Sequence, residues 1–168
     1  MQRLLPVLAI TIALRGSITA AASVATQCAP EEHVIFSCTT SRQKVISLCA
    51  SFTLTSTAGY VQYRFGTPGQ EPELVYPITP EHPKQHFQSG TLTYSGGGGA
   101  YVKFTQGEYT YVVFTGIGRG WAKEGVVVQQ SGKQIAYLPC QGAWTSELGP
   151  AWFETAAIPP DSGDFDIP

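Results

Sequence analysis

The sequence predicts an all-β protein, an antiparallel barrel or sandwich of about eight strands with a short helix near the C-terminus. Three observations predict it. After Pro30, runs rich in Val, Ile, Tyr, Phe and Thr are broken by Gly, Pro and Ser clusters about every 8–12 residues. No stretch before Leu148 keeps a helical period. Four cysteines, Cys28, Cys38, Cys49 and Cys140, follow an export-type leader, and an even count in that setting reads as two disulfides, with three pairings open.

The chain divides into a signal peptide over 1–25, a single β domain over 26–158 and an acidic tail over 159–168. Arg3, the apolar run Leu4–Leu14 and the small residues Ser23-Val24-Ala25 follow the positive, apolar, small-residue order of a secretory leader. The apolar run ends at Arg15, short of the roughly 20 residues that cross a bilayer. Gln27 stands before Cys28 where a lipidated cysteine needs a small residue, so no stable membrane anchor is expected. The leader takes two basic residues and no acid, which moves the formal charge from −2 to −4. Mild acidity disfavours nucleic acid and anionic membranes, which select clustered Lys and Arg. A periplasmic or secreted protein binding a protein partner is the expectation.

His33–Thr39 and Lys44–Leu54 read as strands joined at Thr40–Gln43. In Gly59–Phe65, Val61, Tyr63 and Phe65 alternate with Tyr60, Gln62 and Arg64, which predicts one buried and one wet face. Thr67–Lys84 holds five prolines and reads as a loop or an interrupted edge strand. Phe87–Tyr94 resumes strand character. Ala100–Thr105 and Glu108–Thr115 form a hairpin turned at Gln106-Gly107, and Val126–Gln130 and Lys133–Leu138 form another turned at Ser131-Gly132. Leu148–Thr155 suits a short helix with Pro150 in its first turn. The tail, with Asp161, Asp164 and Asp166 and no base, is expected to be solvated, although Phe165 offers an anchor.

With the turn at Gln106-Gly107, Phe104 faces Tyr109, Tyr101 faces Val112 and Gly97 faces Gly116. The run Gly96–Gly99 and the second glycine-rich segment, Thr115–Trp121, then share the end of the sheet opposite both hairpin turns. Read as loops, they make one candidate partner-binding surface: Tyr94, Ser95, Gly96 and Tyr101 from the first, and Arg119, Trp121 and Lys123 from around the second. Tyr, Trp and Arg are enriched at binding hot spots.

Chemistry is sparse. Gly116-Ile117-Gly118-Arg119-Gly120 lacks the strand–helix context of a dinucleotide loop. His82 and His86 flank Pro83, outside a helix, and no CxxC occurs, so no metal site and no cofactor is expected. No Gly-x-Ser-x-Gly motif is present. Glu31-Glu32, Glu71, Glu73, Glu108 and Glu124 supply carboxylates without an inferable cleft, so no catalytic residues are expected and the chain reads as a binding protein, not an enzyme.

Tyr94-Ser95-Gly96-Gly97-Gly98-Gly99-Ala100-Tyr101 resembles the Ser-Gly-x-x-Tyr-type loop of bacterial periplasmic lysozyme inhibitors of the c-type and i-type families. Val34–Cys38 is similar to their early strand ending in Cys, and Val102–Tyr109 to the strand and turn after the loop. The resemblance spans roughly 34–49 and 87–139, and two extra glycines, a proline insert and the acidic tail depart from the pattern. It implies an exported β-barrel inhibitor of lysozyme or another cell-wall hydrolase, acting by loop insertion, with Ser95 and Tyr101 at the contact. An immunity protein against a periplasmic toxin, or an envelope module, is the alternative.

Overall fold

The computed structural model describes residues 24–168, so the expected leader lies outside the described residues except for Val24 and Ala25. Nine strands follow in chain order: β1 (Glu32–Thr40), β2 (Val45–Ser51), β3 (Val61–Gly66), β4 (Leu74–Tyr76), β5 (Gln88–Tyr94), β6 (Gly97–Gln106), β7 (Tyr109–Gly118), β8 (Trp121–Gln130) and β9 (Lys133–Ser146). One helix, α1 (Pro150–Thr155), and a 3-10 turn at Pro83–Gln85 complete the elements. All strand pairs are antiparallel, in the order β4-β3-β2-β1-β9-β8-β7-β6-β5. The all-β expectation is met by a single sheet curled into a half-barrel. Its two halves meet across the core: Tyr63 of β3 lies 5.0 Å from Phe104 of β6, and Tyr76 of β4 stacks on Phe104 at 4.4 Å.

The curl follows from the side-chain pattern. Alternating residues of β6, β7 and β8 line up as rows across the inner face: Val102, Val113 and Val126 form one row and Phe104, Tyr111 and Val128 the next. These rows close against Ile35, Leu48, Val61 and Tyr63 from the other half. Helix α1 starts with Pro150, whose missing N–H is unneeded in a first turn. With the residues after it, α1 delivers Phe153, Ala156 and Ile158 into the same core. The disulfides pair Cys28 with Cys49 and Cys38 with Cys140. The first ties the segment before β1 to β2, and the second joins neighbouring β1 and β9.

Four expectations are corrected. The β6–β7 turn is Gly107-Glu108, with Gln106 opposite Tyr109 and Tyr101 opposite Phe114, two residues from the expected register. Gly107 has φ +61, which suits the first position of a two-residue turn. A slip of two leaves every side chain on its face. The Ser131-Gly132 turn holds as expected, both residues with positive φ.

The outer face of β3 is not wet. Gln62 is 4% exposed, and Arg64 grips the buried Glu32 with two bonds of 2.6 and 2.7 Å. Arg64 also donates to the Gln27 carbonyl, which brings the segment before β1 over this face. Alternation locates the two faces of a strand, but a neighbouring segment decides whether the polar one meets water.

The glycine run is not a loop either. Gly97, Gly98 and Gly99 belong to β6, Gly116 and Gly118 to β7, and only two-residue turns remain, Ser95-Gly96 and Arg119-Gly120. Finally, the tail is docked on the sheet. Ser89 and Pro160 form a bridge, the Ser89 N–H donates to the Pro159 carbonyl at 2.8 Å, and the Asp161 N–H donates to the Ser89 carbonyl at 2.7 Å.

Candidate binding pocket and the bed of the tail

Because successive side chains of a strand point to opposite faces, the glycine run serves two surfaces. Gly97 and Gly99 face outward and Gly98 inward, with Gly118 and Gly116 opposite the first two in register or nearby on the outer face. A Cβ on Gly116 would stand 2.3 Å from Ile167 Cδ1, and one on Gly118 would stand 2.4 Å from the Trp121 ring. The outer glycines thus make a flat bed for Trp121 and for the tail.

The tail crosses that bed. Phe165 packs against Tyr101 at 4.9 Å and Phe114 at 5.8 Å, and Ile167 joins the same outer cluster with Leu92 and Tyr137. Asp161 accepts from Tyr101 Oη at 3.1 Å and pairs with Lys103, and Asp166 accepts from Tyr94 Oη at 2.6 Å. Lys123 donates to the Pro168 carbonyl and lies 5.9 Å from the Trp121 ring, which meets Tyr94 edge to face at 5.0 Å. Burial, and then the charge of Asp161, pushes the Tyr101 hydroxyl up to about 12.

The residues nominated from sequence therefore do converge, but around the chain's own tail. Tyr94, Tyr101, Trp121 and Lys123 share the outer face. Tyr101 is only 4% exposed, so it is a docking residue for the tail and not an open contact. Ser95 and Gly96 form the β5–β6 turn beside the Arg119-Gly120 turn, and the Arg119 N–H donates to the Ser95 carbonyl at 3.0 Å. The two glycine-rich segments do share one end of the sheet, as expected.

At that same end the inner face is hollow. Continuing the core rows toward it, the next row is Ala100, Thr115 and Glu124, and the last is Gly98, Ile117 and Ala122. Gly98, Ala100, Thr115 and Ala122 stand here in place of the Val, Phe and Tyr that fill the other end. A pocket of about 350 Å³ results, closed on its other side by Trp144 of β9 and by Leu148, Gly149 and Pro150. Ile117 is 58% exposed and Trp144 is 42% exposed, so the mouth is apolar and open to solvent. In the sequence Glu124 has no inferable cleft, and nothing there marks Ile117, Ala122, Trp144 or Leu148 as lining one. The available signal was the inward run of small residues, which appears only once strand register is known.

Glu124 is the one charged residue lining this pocket, and it is 9% exposed. Among the described residues its carboxyl makes no hydrogen bond and no ion pair, and burial raises its pKa above the ordinary value. The other candidate carboxylates have different engagements. Glu32 is tied to Arg64, Glu73 pairs with Lys44, and Glu108 accepts from Gln130 at 3.2 Å. His33 and His86 bond to Glu147 and Glu81, and His82 to the Thr55 carbonyl. Cys28, Glu32 and Cys49 cluster at metal-ligand distance, but both sulfurs are spent in the disulfide.

Fold and pocket together define a disulfide-tied, all-β half-barrel with an apolar pocket at one end of its inner face. Comparison with protein-family models, with curated proteins and with solved structures finds no match. No helix among the described residues is long and apolar enough to cross a membrane.

Proposed function

We propose that this chain is an exported binding protein, not an enzyme, that holds a small apolar ligand in the mouth of its half-barrel. The observation that carries the reading is the hollow beneath Ile117 and Trp144, a pocket of about 350 Å³ walled by apolar groups and holding a single buried acid. Ligand sites have this character, a mostly apolar concavity with few polar groups. Its volume falls in the ordinary range of about 300–1,000 Å³. Hydrolysis by paired carboxylates needs a second acid facing the first, and the lining offers only Glu124. The two disulfides suit an oxidising compartment. Binding of N-phenyl-1-naphthylamine, a neutral dye that brightens in apolar pockets, tests the reading: saturable enhancement supports it, and none at micromolar protein refutes it.

A second reading, inhibition of a lysozyme or other cell-wall hydrolase, is favoured by one observation. The Ser95-Gly96 and Arg119-Gly120 turns stand side by side at the open end, near the exposed Ile117. With two-residue turns in place of a long glycine loop, such an inhibitor would cap a cleft and not thread it. Turbidity clearance of cell-wall suspensions by c-type, g-type and i-type lysozymes tests this, and Ser95→Ala and Arg119→Ala should relieve any inhibition.

A further inference from the structure

The chemistry of the pocket also selects its occupant. Glu124 projects from β8 onto the inner face, between Thr115 and the β9 side, with Ala122 in the row above it and Val126 in the row below. Among the described residues no cation pairs with its carboxyl group and no donor is bonded to it, and the pocket lining holds no base. Isolated burial of a carboxylate is unfavourable, and native proteins pair or neutralise such groups. The nearest base along the strand, Lys123, points to the opposite face and is engaged by the Pro168 carbonyl. The rest of the lining is apolar apart from the Thr115 hydroxyl and the Trp144 indole N–H, and it holds no cation.

We infer that the pocket takes a compact apolar molecule bearing one protonated amine, the ammonium group set against the Glu124 carboxylate and the apolar body against Ile117, Trp144 and Leu148. This rests on the pocket reading above and adds the charge and class of the ligand. The ammonium supplies the partner that the fold withholds, and a charge-assisted hydrogen bond is stronger than a neutral one. Trp144 at the rim adds a ring face for the cation as it enters. The negative charge of the protein, formally −2 over the whole sequence, favours the approach of a cation. A free amine and a lysine side chain of another protein share this chemistry.

The test is a matched pair of probes on the purified protein, 1-naphthylmethylamine, which is cationic at neutral pH, and 1-naphthalenemethanol, its neutral counterpart, both followed by calorimetry. The amine should bind at least about tenfold more tightly than the alcohol, and Glu124→Gln should erase that preference while leaving the alcohol within about twofold. Equal affinity for the two probes, or a preference that survives Glu124→Gln, overturns the amine assignment while the pocket stands. Binding of neither probe overturns the assignment and the pocket reading together. Circular dichroism and a cooperative melting transition at no lower temperature than wild type establish that Glu124→Gln, which keeps size and shape, is folded. Competition by N-acetyl-lysine methylamide at concentrations where butylamine does not compete points to a protein's lysine as the source, and the reverse points to a free amine.

Discussion

Replacing Arg64 by Ala should cost about 3–5 kcal/mol at pH 7 and clearly less at pH 4. The Glu32 side chain is 1% exposed and that of Arg64 15%, so the substitution strands a buried carboxylate. Removing one partner of a buried ion pair typically costs about 3–5 kcal/mol, because the other charge is left uncompensated. Glu32 keeps its bonds from the Ala29 N–H at 2.6 Å and the Tyr60 hydroxyl at 2.8 Å, which places the loss near the lower end. The pH dependence gives the mechanism away. In the native protein burial works to raise the Glu32 pKa, but the bonds from Arg64, Ala29 and Tyr60 and the Arg64 charge outweigh it and hold it below 4.5. Its contribution is therefore present above the unfolded value and is lost as pH falls through the lowered folded value. Without Arg64, burial is opposed only by the Ala29 and Tyr60 bonds, and the folded pKa should rise. The penalty is then full near neutrality and is relieved as the pH falls through the raised pKa. Urea unfolding of wild type, Arg64→Ala and the double variant Glu32→Gln/Arg64→Met, at pH 7 and pH 4, reads both effects. An equal loss at the two pH values, or a double variant as damaged as Arg64→Ala, would refute the reasoning.

Other expectations concern the disulfides, the glycines and the tail. Replacing Cys38 and Cys140 together by Ala opens a loop with a sequence separation of 102 and should cost about 4.7 kcal/mol, against about 3 kcal/mol for Cys28 and Cys49, separated by 21; denaturant midpoints rank them. Gly97→Ala places a Cβ 2.0 Å from the Ile117 carbonyl oxygen and should cost about 3 kcal/mol, whereas Gly149→Ala meets nothing within 4 Å and should melt like wild type. Phe165→Ala removes the half-buried anchor of the tail and should cost about 1–2 kcal/mol. Asp161 is opposed by burial but held below 3.8 by Lys103, the Gly163 N–H and Tyr101, so its contribution to docking is present above that value and lost as pH falls through the lowered one. Ring-proton shifts of Phe165 should report docking that persists at pH 5 and weakens below pH 3, and Lys103→Met should weaken it at pH 5 already.

Strand class, the Ser131-Gly132 turn and the helix at Pro150 were legible because each depends on local chemistry: alternation, positive φ and a first-turn proline. The shared end of the glycine-rich segments was legible too, since a two-residue slip in the Phe104–Tyr111 register moves no side chain across the sheet. What local chemistry does not carry is who covers whom. Tyr101, Lys123 and Tyr94 look like an open contact until the tail is laid on them, and Arg64 looks solvated until the segment around Gln27 covers it. The same glycines that suggest a flexible loop are instead close-approach positions on one face and the absence of filling on the other. Glu124 gained meaning only when the rows Ala100–Thr115–Glu124 and Gly98–Ile117–Ala122 were seen to be smaller than the rows beneath them.

The most direct test of the account is to fill that hollow. Ala122 stands on the inner face at the mouth, opposite Ile117, where a larger side chain can enter the pocket without disturbing the packed rows below. N-phenyl-1-naphthylamine titrated into wild type and into Ala122→Phe should show saturable brightening with the first and at least about a tenfold weaker response with the second, at unchanged melting temperature. Equal binding by the two proteins would place the apolar site elsewhere and contradict the central claim.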